Sequence, residues 1–164
     1  MLTVYKMNQN EKWDSIVKSF EQYDVYYLNG YVRAFEIHGD GEPLLIYYES
    51  DCLRGINVVM KRDIVYDKKF AGLISNGEYY DLVTPYGYGG WHFEGKQTEI
   101  TSSIFEKEYI SWCSENKIVS EFIRFHPILN NALEINNSMY ERVLLGKTVA
   151  MQLDNEDLIW ERFS

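Results

Sequence analysis

Between Tyr80 and Phe125 the chain reads strand, helix, strand, and this order makes a βαβ-like unit within a mixed sheet the expected frame of the fold. Tyr80 to Val83 is a short strand. Ser103 with Glu106 three residues later has the capping-box pattern, and Phe105, Tyr109 and Trp112 follow at i, i+4 and i+7 before Asn116 ends the helical run. Ile118 to Phe125 then reads as a second strand, stopped at His126-Pro127 because proline has no N–H for a ladder.

Upstream, Trp13, Ile16, Val17 and Phe20 recur at helical spacing, so an amphipathic helix is expected there. Asn29 reads as the cap of a second short helix carrying Tyr31, Ala34 and Phe35 on one side. Both helices precede any strong strand signal. Pro43 to Glu49 and Ile56 to Met60 are rich in β-branched and aromatic residues, and the intervening Ser50-Asp51 and Gly55 predict an antiparallel hairpin. Asp67 to Asn76 is ambiguous, a helical turn broken at Asn76-Gly77.

Downstream, Val143 to Leu153 predicts a bent strand or a strand pair, with Asp154 able to cap a terminal helix. Leu158, Ile159 and Phe163, beside Trp160, begin an apolar helical face of barely two turns. A helix this short needs something to pack against. It reads either as a docked terminal helix or as the start of a helix entering a second domain. The expected division is therefore residues 1–153 as one α/β domain, of the α+β mixed-sheet kind, and 154–164 as that helix start.

Composition narrows the function classes. The 164 residues, 46% apolar and 16% aromatic, suffice for one core without disulfides or metal. Lys and Arg number 16 against 25 Asp and Glu, a net charge of −9 that opposes nonspecific attraction to DNA or an anionic membrane. A polyanionic ligand would need a local basic pocket. No apolar run approaches the roughly 18 residues of a membrane span, and Met1 to Lys6 lacks a targeting pattern, so cytoplasm is the default address. Cys52 and Cys113 read as two reduced thiols, with a disulfide or a nucleophile as the alternatives.

Chemistry points to Asp81–Trp91. Gly87, Gly89 and Gly90 permit a tight turn and close backbone approach, while Tyr86, Tyr88 and Trp91 offer stacking faces and donors. Such a loop reads as a ligand wall or, equally, as a sheet-edge turn whose rings pack inward. It is neither a Walker loop nor a Rossmann turn. Lys61 and Arg62 read as a solvated strand end or as added positive charge. His126 has the side chain of a general base, although a His before Pro at a strand end is commonly structural. His38 and His92 fall outside metal-ligand spacing, and no zinc site is expected.

Thr84-Pro85-Tyr86-Gly87-Tyr88-Gly89-Gly90, followed after one helix by Phe122-Ile123-Arg124-Phe125-His126-Pro127 and Asn130-Asn131, then by Gly146-Lys147-Thr148-Val149, resembles the N-terminal half of FemABX-type proteins. These are the aminoacyltransferases that build peptidoglycan interpeptide bridges, with their acyltransferase relatives. The resemblance spans most of the chain. It implies a GNAT-like domain that binds an amine acceptor, such as a peptidoglycan precursor, in a groove. Tyr86, Gly87, Tyr88, Gly89 and Gly90 would wall that groove, with Arg124, His126 and Asn131 near its rim. Trp91 stands where many relatives have a smaller residue or Pro, which would narrow the groove or change its ligand.

The resemblance further implies that the donor, an aminoacyl-tRNA or an acyl-CoA, is handled by a second domain of the same protein, with the isolated chain inactive. No catalytic residue is assigned within the 164 positions. Thr84-x-x-Gly87-x-Gly89 matches the acetyl-CoA turn of GNAT enzymes by count only, because Thr84 replaces the expected Gln or Arg and no helix follows directly; no cofactor is assigned to this chain. Two other readings stay open: a complete single-domain GNAT-like acetyltransferase, and a noncatalytic module binding a small molecule or a protein.

Overall fold

The structure is a computed structural model, and it describes residues 1–135, 139–150, 153 and 159–160. Six strands form one mixed sheet: β1 (Leu2–Lys6), β2 (Glu42–Glu49), β3 (Leu53–Asp63), β4 (Tyr80–Val83), β5 (His92–Gly95) and β6 (Ile118–Phe122). The strand order is β1-β2-β3-β4-β6, and β5 also pairs with β3. Three helices flank it: α1 (Asn10–Lys18), α2 (Asn29–His38) and α3 (Glu99–Glu115). The mixed α/β class expected from the sequence is what the chain adopts.

Alternation along β2 and β3 sorts the core into two layers. Leu45, Ile56, Val58 and Met60 meet Trp13, Ile16, Val17 and Val32 of α1 and α2. Leu44, Ile46, Tyr48, Val59 and Leu82 meet Phe105 and Tyr109 of α3, together with Trp91 and Phe93. Burying an apolar side chain of this kind contributes roughly 1.5–3 kcal/mol.

The β4–α3–β6 crossover is present, and β4 pairs with β6 in parallel. Its capping box differs from the expectation. Thr98 and Thr101 form it, with Thr98 Oγ1 accepting from the Thr101 N–H at 3.2 Å, so α3 begins four residues ahead of Ser103. Asn29 is the first residue of α2 rather than its cap; Leu28 takes the cap position, and Asn29 is buried with its amide toward Met7 O.

Two strands go beyond the sequence reading. β1 precedes both helices and pairs antiparallel with β2 from Leu2↔Tyr48 to Lys6↔Leu44, a strand for which the sequence carries no strong signal. β5 follows the glycine loop directly. While β3 runs back four residues from Met60 (opposite Val83) to Ile56 (opposite His92), the facing chain advances nine. The excess is the glycine loop, pushed out of a strand line that resumes on its far side.

Val143 to Ala150 forms no strand and lies exposed, Leu144 at 94%, which corrects the expected strand over that part. Residues 151 and 152 lie outside the described residues, as do Asp154 and most of the expected terminal helix; Ile159 and Trp160 alone are described there, and both are helical. Cys52 and Cys113 are free thiols, the first exposed and the second half-buried.

Candidate functional site

The glycine loop and the segment after β6 are separated in the chain by the whole of α3, yet they meet side by side. Gly89 bridges Phe125 in parallel, its N–H donating to Arg124 O at 2.9 Å. One fully buried carboxamide fastens the junction. Asn131 Nδ2 donates to Gly89 O at 2.8 Å, Trp91 O at 3.1 Å and Tyr27 Oη at 3.2 Å, while its Oδ1 accepts from the His126 N–H at 2.8 Å. Tyr27 Oη in turn donates to Gly90 O at 2.9 Å. Burial pushes the Tyr27 hydroxyl far above its ordinary range, with the Glu134 and Asp24 carboxylates adding to the effect, so it stays protonated.

Two glycines are required by this geometry. Gly90 has φ +90°, and a Cβ there would come within 2.7 Å of Ile123 Cγ2. Gly87 has φ +111° and a Cβ would run into the Tyr26 ring.

His126 is 3% exposed. Its Nδ1 accepts from the Ile128 and Leu129 N–H groups, both at 3.2 Å, so the ring proton sits on Nε2, 3.3 Å from Asp24 Oδ2. A general base needs a free lone pair facing substrate; here the backbone holds it. The ring packs against Tyr26 and Tyr88 and organises the turn that carries Asn131. Trp91 is 0% exposed and faces α3, its ring stacked on Phe93 and edge-on to Phe105 and Tyr109. It therefore supplies core rather than a groove wall.

The outer members of the two motifs have a different setting. Tyr86 is 76% exposed, and the Arg124 guanidinium lies 5.9 Å from its ring centroid. Both line a groove of about 860 Å³ running over the ends of β3 and β4, with Met60, Lys61, Arg62, Tyr66, Phe70 and Val83 among its walls. Lys61 and Arg62 are marked by the sequence, whereas Tyr66 and Phe70 escape it; their aromatic rings in a stretch without periodicity are the signal that points to them.

Charge in the groove is mostly committed. Arg62 Nε donates to Asp81 Oδ1 at 2.9 Å, Glu42 pairs with Lys6 at 2.7 Å, and Asp40 with His38 at 2.8 Å. Asp63 accepts from the Val65 and Gly77 N–H groups, and Asp67 from that of Lys69. Arg124 and Lys61 form no ion pair among the described residues. Lys61 Nζ instead lies 3.9 Å over the Tyr80 ring, and partial burial lowers its pKa. Two cations thus remain for a ligand in a chain that is acidic as a whole.

A second polar group lies under the sheet on the α3 side, and the sequence gives no sign of it. Glu121 Oε2 accepts from Tyr109 Oη at 2.8 Å and from Tyr140 Oη, and Oε1 accepts from Asn57 Nδ2 at 2.8 Å. Burial raises the Glu121 pKa against the opposing effect of these donors, and the same burial lifts both tyrosines. The nearby Cys113 thiol is pushed up to about 12, chiefly by burial, so it is not a thiolate nucleophile at neutral pH. An alternating strand does not tell a sequence reader that one glutamate points inward. His92, also buried, has Nδ1 3.7 Å from Glu134 Oε2, which accepts the Phe93 N–H at 3.0 Å.

At the start of α3, Thr98 already satisfies one N–H and Glu99 adds negative charge in the first turn. Among the described residues no group of three or more His, Cys, Asp or Glu side chains is arranged for a metal ion, and no helix is long and apolar enough to cross a membrane. Comparison of the chain with family models, with curated proteins and with solved structures finds no match.

Proposed function

We propose that this chain is the acceptor-binding, GNAT-like domain of a FemABX-like aminoacyl- or acyltransferase, and that the groove at Tyr86 and Arg124 receives the acceptor. The observation that carries this reading is the meeting of the two resembling motifs at one groove, with Arg124 in no ion pair among the described residues and an exposed tyrosine ring beside it. An Arg fork grips a carboxylate or phosphate in two parallel hydrogen bonds, and tyrosine faces take the flat or apolar remainder of such a ligand. The reaction of the whole protein is amide formation: an acceptor amine attacks an activated carbonyl, the new C–N bond replaces the ester or thioester bond, and the amine gives up a proton. Positioning supplies most of the rate, and this domain contributes the acceptor's position.

The test is a ¹⁵N-resolved NMR titration of the chain with a soluble muramyl peptide. Shifts confined to Tyr86, Arg124 and the ends of β3 and β4, and abolished by Arg124→Ala, are the expected outcome. Silence at millimolar ligand, or shifts elsewhere, sinks the proposal. The parallel β4–β6 pair joined through α3 equally suits a self-sufficient GNAT-like acetyltransferase. That reading requires acetyl-CoA to raise Tm by mass action; the acceptor-domain reading expects no change.

A further inference from the structure

The polar cluster on the α3 side of the sheet takes no part in the groove. Glu121 lies on β6, at the end of the strand order, and the residue keeps some exposure; its carboxylate turns inward, where it is bonded to Tyr109 and Asn57, both buried. No ion pair among the described residues reaches it. β4 places Leu82 opposite, and β3 supplies only the uncharged Asn57. The titratable groups that face Glu121 are Tyr109 and Cys113 from α3 and Tyr140 from the chain beyond Ile135, each held neutral at neutral pH by burial.

The groups that donate to this carboxylate are not held alike. Asn57 belongs to β3 and Tyr109 to α3, whereas Tyr140 belongs to no strand or helix. Met139 and Tyr140 pack against the core, Arg142 Nη1 donates to Ala132 O at the surface, and every residue from Glu141 to Ala150 is exposed. Within 139–150, Tyr140 is therefore the last side chain to enter the interior.

Taking a carboxylate out of water with no cation beside it disfavours the charged form, and hydrogen bonds from hydroxyls and an amide favour it. Burial is the larger effect here, so the closed cluster holds a proton more tightly than a hydrated glutamate does. That proton has an acceptor nearby in Asn57 Oδ1, which is buried without a hydrogen-bond partner and faces the acid after a half-turn of the amide. Of the donors, Tyr140 alone can leave without breaking a strand or helix, and its departure lets water reach the carboxylate.

We infer that Glu121 and Tyr140 form a pH-sensitive clasp that holds residues 139–142 against the α3 side of the sheet, closed when Glu121 carries a proton and loosened when it ionises. Closure raises the affinity of Glu121 for a proton, so proton binding in turn favours closure. The clasp tightens as pH falls through the raised value toward the ordinary glutamate range. It stands independently of the function proposed above.

Two measurements test it. In a carbon-detected NMR titration of the side-chain carboxyls, Glu121 is expected to titrate at higher pH than the exposed Glu11 and Glu36 in the same spectrum. Trypsin then reads the clasp near neutral pH. A protease takes several residues on each side of the bond it cuts, so initial cleavage after Arg142 requires release of Tyr140, while cleavage after Lys147 does not and serves as reference. Relative to Lys147, the Arg142 cut is expected to be roughly fivefold faster in Tyr140→Phe, which keeps the ring and loses the donor. In Glu121→Gln, which keeps the shape of the neutral acid, it is expected to be roughly threefold slower. Val32→Ala, a core truncation on the opposite face of the sheet, leaves the ratio unchanged.

Titration of Glu121 together with the exposed glutamates overturns the inference, as does an Arg142 cut in Glu121→Gln as fast as in the unaltered chain. An unchanged ratio in Tyr140→Phe removes the clasp, and a raised ratio in Val32→Ala shows that the cut follows global unfolding. If Glu121→Gln does not fold, the ratio in the unaltered chain decides: it must fall as pH is lowered across the Glu121 titration.

Discussion

The inner and outer halves of the same two motifs have opposite fates. Gly89, Gly90, Trp91, His126 and Asn131 are buried, with their hydrogen bonds directed at other parts of the chain, whereas Tyr86 and Arg124 stand at a groove open to solvent. A motif read from sequence mixes residues that make a shape with residues that use it. Burial separates the two: hydrogen bonds spent on main-chain carbonyls build geometry, and a guanidinium without a carboxylate partner is left for something else.

The largest effect that bears on this contrast is expected from Trp91→Ala. Removing a fully buried ring packed among Phe93, Phe105 and Tyr109 costs about 3–5 kcal/mol. Urea denaturation measures it, and a loss below about 1 kcal/mol would move Trp91 from the inner class to the outer. Gly90→Ala comes next, at about 1–3 kcal/mol, because the new methyl meets Ile123 while the backbone holds a positive φ. An unchanged midpoint would mean that the loop relaxes freely and is not locked. At the other end, Arg124→Ala is expected to change stability by no more than about 0.5 kcal/mol, since its side chain supports little of the fold. A larger loss would show that the outer class also builds the structure, and the contrast would blur.

The fold is legible in the sequence where periodicity and burial coincide. Trp13, Ile16 and Val17 face the core as their spacing demands, and the β2–β3 hairpin and the β4–α3–β6 order follow from local pattern. β1 and β5 are not legible. β1 is five residues long and only partly buried, and β5 is the four-residue His-Phe-Glu-Gly after a glycine run, so neither carries a pattern of its own. Both are strands because long neighbours offer them an edge: β3, with eleven residues, pairs with β4 along one end and β5 along the other. The converse holds at Val143 to Ala150, where β-prone residues stay irregular. Strand propensity expresses itself only against a partner.

The site is legible in part for the same reason. Tyr86 and Arg124 belong to motifs that the eye can find. The junction of their two segments, where Thr84 Oγ1 accepts the Arg124 N–H at 3.0 Å, and the inward turn of Glu121 depend on pairings between distant parts of the chain. His126 is ambiguous in sequence because its role is decided by two backbone N–H groups that no sequence displays.

The Asn131 carboxamide also has a consequence for how the molecule comes together in time. Its bonds to Tyr27, Gly89 and Trp91 close separations of 104, 42 and 40 residues, whereas the β2–β3 hairpin closes across a three-residue turn. Closing a longer loop costs more chain entropy, so the hairpin is expected to form ahead of the Asn131 bonds. Local opening from the native state is expected to run in reverse, with the Asn131 junction losing its order while the central hairpin still stands. A chain that has made the Asn131 bonds has already brought Tyr27, 104 residues away in sequence, and the glycine loop to one amide.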